Sequence, residues 1–197
     1  MKNRISGVIL AGGSARRMRG ASKTNIIIGG RPVLERITDV IVDIFDELFI
    51  VANNAGEFAA YPQYRITKDI FPGLGPIAGL HSGLFSCSGD AVFVFAGDMP
   101  FLDKKLIIDM ISYFETVNGD ILVPQIGTDI EPLHAIYRKS ALKELEEFIV
   151  SGKSRAIRDF IFAQNYSTFS VEDTPGNRKA FTNINSPKDL ESLNTKS

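Results

Sequence analysis

Four places in this 197-residue sequence carry residue types whose spacing could do chemistry. The first is the stretch Leu10-Ala11-Gly12-Gly13-Ser14-Ala15-Arg16-Arg17-Met18-Arg19-Gly20-Ala21-Ser22-Lys23, which follows an apolar β-branched run. Paired glycines let successive backbone N–H groups turn toward one anion, because glycine adopts positive φ at little steric cost. Arg16 offers phosphate oxygens a fork and Lys23 a point charge. A dozen irregular residues straight after a core strand also mark a working loop. The chemistry implied is phosphate binding. The second place is Asp98, just past the apolar run Ala91-Val92-Phe93-Val94-Phe95-Ala96. A carboxylate there suits Mg²⁺, which takes one or two protein oxygens and fills its shell with water and substrate phosphates. Asp69 and Asn53 are the third and fourth, each closing a predicted strand; Asn53 suits a base or ribose edge, with a turn role as its competitor.

These residues need elements to position them. Residues 6–10, 48–52, 65–68, 91–96, 121–124 and 135–137 are predicted strands, and 32–45, 76–86, 103–115 and 140–149 predicted helices. The runs at 48–51 and 92–95 are apolar on both faces, as strands covered on two sides must be. Val33, Leu34, Ile37, Val40, Ile41 and Ile44 form one helical stripe, with Pro32 placed at the first helical position. Asp103 is the natural cap of the helix after Asp98. Ser186-Pro187-Lys188-Asp189 announces a short C-terminal helix. Strand–helix alternation over the first 125 residues means a parallel sheet covered on both faces, in one domain spanning 1–197. Such sheets bind ligands beyond the carboxyl ends of their strands, where all four places fall.

Composition removes other classes. With 22 basic and 23 acidic side chains the net charge is -1, which argues against coating nucleic acid. Residues 1–34 nonetheless hold seven basic groups and no acid, a local patch suited to a small anion. No apolar run approaches the ~20 residues of a membrane helix. A lone cysteine, Cys87, fits a reducing cytoplasm, and one cysteine with two histidines is too few for structural zinc. Gly152-Lys153-Ser154 is not a P-loop, since the first glycine would fall on Glu147. Gly73-Leu74-Gly75-Pro76-Ile77-Ala78 fits a dinucleotide fingerprint only loosely, because no strand runs into its first glycine; a glycine-rich lead-in to a helix is the better reading. His81 and His134 sit in apolar patterns without metal-ligand spacing, and no Gly-x-Ser-x-Gly elbow occurs.

Several motifs together resemble one family. Leu10-Ala11-Gly12-Gly13, Arg16-Arg17-Met18 and Lys23 resemble the N-terminal signature of molybdenum cofactor guanylyltransferases, also called molybdopterin-guanine dinucleotide biosynthesis protein A. Gly75-Pro76-Ile77-Ala78-Gly79, Gly97-Asp98-Met99-Pro100-Phe101-Leu102, Glu131-Pro132-Leu133-His134-Ala135-Ile136-Tyr137 and Asn183-Ile184-Asn185-Ser186-Pro187 resemble its later motifs, in the same order. The resemblance implies a three-layer α/β/α sandwich of the Rossmann-like nucleotide-diphospho-sugar transferase type, with a mainly parallel sheet. It implies transfer of GMP from GTP to molybdenum-molybdopterin, with Mg²⁺ as cofactor and transient contact with molybdoenzyme apoproteins. By matching position, Leu10, Ala11, Gly12, Lys23, Asn53, Asp69 and Asp98 would contact the nucleotide, with Gly13 in the same cradle. Asp98 would also hold the metal, and Asn183 and Asn185 fall on the acceptor side by motif position. Arg19 stands where the family usually has glycine, and Ser22 where it usually has aspartate.

The expected mechanism is in-line attack by an acceptor phosphate on the α-phosphorus of a nucleoside triphosphate. Lys23, Arg16 and Asp98 would carry it by positioning and charge neutralisation. Use of CTP, another phosphorylated acceptor, or nucleotide binding without turnover stay open as alternatives.

Overall fold

A computed structural model describes residues 4–12, 24, 26–184 and 189 of the chain. Its centre is the strand β1, Ile5–Leu10, flanked in parallel by β4, Leu48–Val51, and β6, Ala91–Ala96. Beyond β4 the parallel strand β5, Arg65–Thr67, closes one edge. On the other side β9, His134–Arg138, lies antiparallel between β6 and β7, Ile121–Ile126. The strand β10, Tyr166–Val171, pairs in parallel with β7 and forms the far edge. The order is β10-β7-β9-β6-β1-β4-β5, with the two-residue β8, Asp129–Ile130, pairing back onto β7.

Alternation along the central strands builds two cores. Ile9, Phe93 and Phe95 face one side, where they meet Ile37 and Ile41 of α1, Val33–Ile41, and Ile107, Met110 and Phe114 of α3, Lys104–Phe114. Val8, Val92 and Val94 face the other, against Leu80 and Leu84 of α2, Pro76–Ser86, Leu145 of α4, Leu142–Ser151, and Phe160 of α5, Ile157–Phe162. All six residues of β6 are buried, as its unbroken apolar run requires. The molecule is therefore a three-layer α/β/α sandwich on a mainly parallel sheet.

Several local expectations shift. Pro32 lies one residue outside α1, paired with Ile27 in the ribbon of β2, Ile27–Ile28, and β3, Arg31–Pro32. Helix α1 stops at Ile41, and Phe45 beyond it turns inward, edge-on to Phe93 and Phe95 at 6.0 and 5.8 Å. Asp103 caps α3 as expected, accepting from the Leu106 N–H at 3.0 Å. The C-terminal helix predicted from Ser186-Pro187 lies outside the described residues, Asp189 excepted. The strands and α-helices without a forecast are the two-residue strands β2, β3 and β8, the helix α5, the edge strand β10 and the short α6, Pro175–Ala180.

Candidate active site

The carboxyl ends of β1, β4, β5 and β6 open on one cleft of about 780 Å³. Leu10, Ala11, Gly12, Asn53, Asp69, Asp98 and Asn183 all line it. Gly13, Arg16, Lys23 and Asn185 lie outside the described residues, as do Arg19 and Ser22.

Backbone pairing carries the strand ends into this cleft. The Ala11 N–H donates to Val51 O at 2.9 Å and the Gly97 N–H to Leu10 O at 2.9 Å, extending the β1 ladders beyond the strand. Gly97 must be glycine: a Cβ there would lie 2.9 Å from Leu10 O and 2.7 Å from the Thr24 Cγ2. The Ile184 N–H donates to Asp98 O at 2.9 Å, which brings Asn183 to the Asp98 side. Asn53 and Asp69, from neighbouring strands, clip together. The Asn53 Nδ2 donates to Asp69 Oδ2 at 2.7 Å, and the Asp69 N–H donates to Asn53 Oδ1 at 3.2 Å. Burial raises the Asp69 carboxyl pKa, and the Asn53 amide opposes the rise. The Asp69 Oδ1 accepts no hydrogen bond from any described residue.

The glycine-rich segment ahead of α2 also borders the cleft through Gly73, Gly75, Pro76 and Gly79. Gly75 has φ 77°, Pro76 opens the helix, and Gly79 lets α2 approach β1, since a Cβ would lie 3.2 Å from the Leu10 side chain. This is the helix lead-in expected, and the positive end of its dipole faces the place where an anion would sit. Gly152 takes φ 66° at the C-terminus of α4, the reverse of a P-loop glycine, which precedes a helix.

The groups set aside on sequence are structural. The His81 ring is buried, with Nε2 2.9 Å from Glu146 Oε1 and Phe71 edge-on at 4.8 Å. His134 is fully buried among Phe93, Phe95 and Phe181, neither ring nitrogen has a partner, and burial lowers its pKa to about 3. Cys87 is a buried thiol whose pKa burial raises. One residue at the rim escaped sequence reasoning. Glu131 precedes β9, and because β9 runs antiparallel its start lies at the rim beside the end of β6. Burial and the negative charge of Asp98 both raise the Glu131 carboxyl, while the Leu133 N–H and Arg158 lower it. Only the antiparallel direction of β9 could have exposed it, and a five-residue strand carries no mark of direction.

The donor set fits a hard cation. Asp98 and Asn183 both line the cleft and are oxygen-bearing side chains of the kind a hard divalent cation takes together with substrate phosphates. Among the described residues no group of three or more His, Cys, Asp or Glu side chains could hold a metal unaided.

A mainly parallel α/β/α sandwich with a glycine-lined cleft and a carboxylate at its strand ends is the architecture of Rossmann-like nucleotidyltransferases. Within that class the chain belongs to the MobA-like NTP transferase domain family, whose profile matches residues 7–167. A protein of Natranaerobius thermophilus named "Probable molybdenum cofactor guanylyltransferase" is 34% identical, over 97% of this chain and 95% of that one. The molybdenum cofactor guanylyltransferase of Desulfosudis oleivorans is 30% identical over 95% and 93%. Among solved structures, molybdopterin-guanine dinucleotide biosynthesis protein A from Archaeoglobus fulgidus superposes with a TM-score of 0.83 at 27% identity, covering 97% of each chain.

Proposed function

We propose that this chain, acting as one nucleotidyltransferase domain over residues 1–197, transfers GMP from GTP to molybdenum-molybdopterin and releases pyrophosphate. The observation that carries the reading is a single cleft holding Asp98 on one side of the Leu10–Gly12 backbone and the Asn53–Asp69 clip on the other. Asp69 reads the base. A carboxylate with an open oxygen accepts the adjacent N1–H and NH₂ donors of guanine, whereas adenine and cytosine present a ring-nitrogen acceptor there, and two acceptors repel.

The acceptor phosphate oxygen attacks the α-phosphorus in line. A new P–O bond forms as the bond to the bridging oxygen breaks, and pyrophosphate leaves with the electron pair. A phosphate dianion needs no strong base, which suits a cleft whose nearby histidine, His134, is buried and uncharged. Asp98 and Asn183, with Asn185, hold the divalent cation, here Mg²⁺, which when bound neutralises charge on the phosphate oxygens. Lys23, Arg16 and the Gly12 and Gly13 N–H groups hold the departing pyrophosphate. The free Cys87 thiol suits the reducing cytoplasm, where apo-molybdoenzymes take the product by transient contact.

The test is pyrophosphate release with GTP, CTP, ATP and UTP, each with and without molybdenum-molybdopterin and Mg²⁺. GTP should dominate and turnover should need both acceptor and metal. Equal or faster turnover with CTP makes the protein a cytidylyltransferase; saturable GTP binding without pyrophosphate release makes it a binding protein.

A further inference from the structure

Along the rim of the sheet, Asp69 lies beyond β5, Asn53 beyond β4, Gly12 beyond β1, Asp98 beyond β6, and Glu131 ahead of β9. Asp98 thus stands between two other carboxylates. With the nucleotide over β1, β4 and β5, as the proposed reaction has it, Glu131 is on the side left for the acceptor. Its carboxylate is held much as that of Asp69 is. The Leu133 N–H donates to Oε1 at 3.3 Å, while Oε2 accepts nothing from any described residue. Leu133, two residues on, lines the cleft.

The turn that carries Glu131 is braced on several sides. The Glu131 N–H donates to Pro124 O at 3.2 Å, and its own carbonyl accepts from the His134 N–H at 3.2 Å. The buried Tyr137 hydroxyl donates to Pro132 O at 2.7 Å, Arg158 donates to Ile130 O at 3.3 Å, and the Ala96 N–H donates to Leu133 O at 2.9 Å. A half-buried acid next to another acid is unfavourable, and burial together with Asp98 raises its carboxyl pKa. A turn this firmly fixed keeps the carboxylate in place without a ligand, which lowers the ordering penalty when one binds.

The two substrates of the proposed reaction share one chemical feature. Guanine and a pterin each carry a 2-amino-4-oxopyrimidine ring, with an N–H and an NH₂ side by side. A bisubstrate site joining them needs two acceptors for that edge, one on each side of the reacting phosphates. We infer that Glu131 is the acceptor-side reader: its open carboxylate oxygen takes the N3–H and NH₂ donors of the pterin ring, as Asp69 takes those of guanine. The inference rests on the guanylyl-transfer reading for the identity of the acceptor, and it makes Glu131 a specificity residue outside the metal site.

The experiment compares wild type with Glu131→Gln, which keeps the shape but sets an amide against the ring N–H. Losing a hydrogen bond to a charged group should raise the KM for molybdenum-molybdopterin by about tenfold or more, with the KM for GTP within about twofold. Quenching of 6-hydroxymethylpterin fluorescence should weaken by a similar factor. Mn²⁺ affinity, followed by electron paramagnetic resonance, should be unchanged or tighter. An unchanged acceptor KM, or a wild-type protein that turns over yet does not bind the pterin, overturns the assignment. A tenfold loss of Mn²⁺ affinity also overturns it and makes Glu131 a cation ligand. Should Glu131→Gln fail to fold, wild type decides alone. It should bind the pterin about tenfold tighter than lumazine, which has a carbonyl in place of the 2-amino group, and equal binding overturns the assignment. Failure of guanylyl transfer itself is distinct, since it appears as wild type releasing no pyrophosphate.

Discussion

Asn53 and Asp69 are paired before any nucleotide arrives, the Asn53 amide donating to the Asp69 carboxylate at 2.7 Å and the Asp69 backbone N–H donating to the amide oxygen at 3.2 Å. Asn53→Ala should leave Asp69 in place but unpinned, raising the KM for GTP about tenfold with a smaller change in kcat. Initial rates across GTP concentrations check this; an unchanged KM would show that the clip serves only the turn. Asp98→Asn should act on kcat instead. Neutralising the proposed metal ligand should remove charge stabilisation in the transition state, worth on the order of 10²-fold in kcat at saturating GTP. A Mg²⁺ titration, with thermal melts as the folding control, separates the two effects. His134 makes a different prediction. Burial lowers its pKa to about 3 against an ordinary value of 6.5, so between these pH values the unfolded chain binds a proton that the folded one does not. Stability should therefore fall as pH drops from 6.5 toward 3. Because neither ring nitrogen has a partner, His134→Phe should fold, and its Tm should fall less than wild type's between pH 7 and 4.5.

At the scale of elements, the strand ends decide the site, and Gly97 is where they come closest. Gly97→Ala would press a methyl against Leu10 O and Ala11 Cα, 2.9 and 3.3 Å away. Backbone has to move to admit it. A loss of about 1–3 kcal/mol by denaturant melts, with weaker GTP binding, is the expected outcome. Most of the sheet and the strand-end residues that line the cleft were legible in the sequence. The runs at 48–51 and 91–96 announce covered strands by being apolar on both faces, and α2 spans the 76–86 predicted for it. Leu10, Asn53, Asp69 and Asp98 follow because parallel strands end at the same side of a sheet. The acceptor side was less legible. Strand β10 is an edge strand whose Tyr166-Ser167-Thr168-Phe169-Ser170 is partly exposed, so it lacks the apolar run that marks its neighbours. The direction of β9 depends on pairing with β6 and β7, which no local pattern encodes, and Glu131 was missed with it.

At the scale of the molecule, one continuous sheet joins strands from Ile5 to Val171, with central strands buried on both faces. No boundary interrupts it, so the chain should unfold in one cooperative transition. Far-ultraviolet circular dichroism and the fluorescence of its tyrosines, among them the fully buried Tyr137, should report coincident midpoints in urea; the chain has no tryptophan to complicate the signal. Two separated transitions would mean that the β7–β10 edge melts by itself. The antiparallel course of β9 has one more consequence. Leu10, Asn53, Asp69 and Asp98 precede residue 100, whereas Glu131 and Asn183 follow residue 120, and Glu131 reaches the rim just ahead of a strand that runs against β6. On the proposed reading, choice of nucleotide and choice of acceptor are written in successive halves of one polypeptide. A hybrid carrying residues 121–184 from a relative with a different acceptor, provided its β9 packs against β6 as well, would inherit that acceptor and still spend GTP.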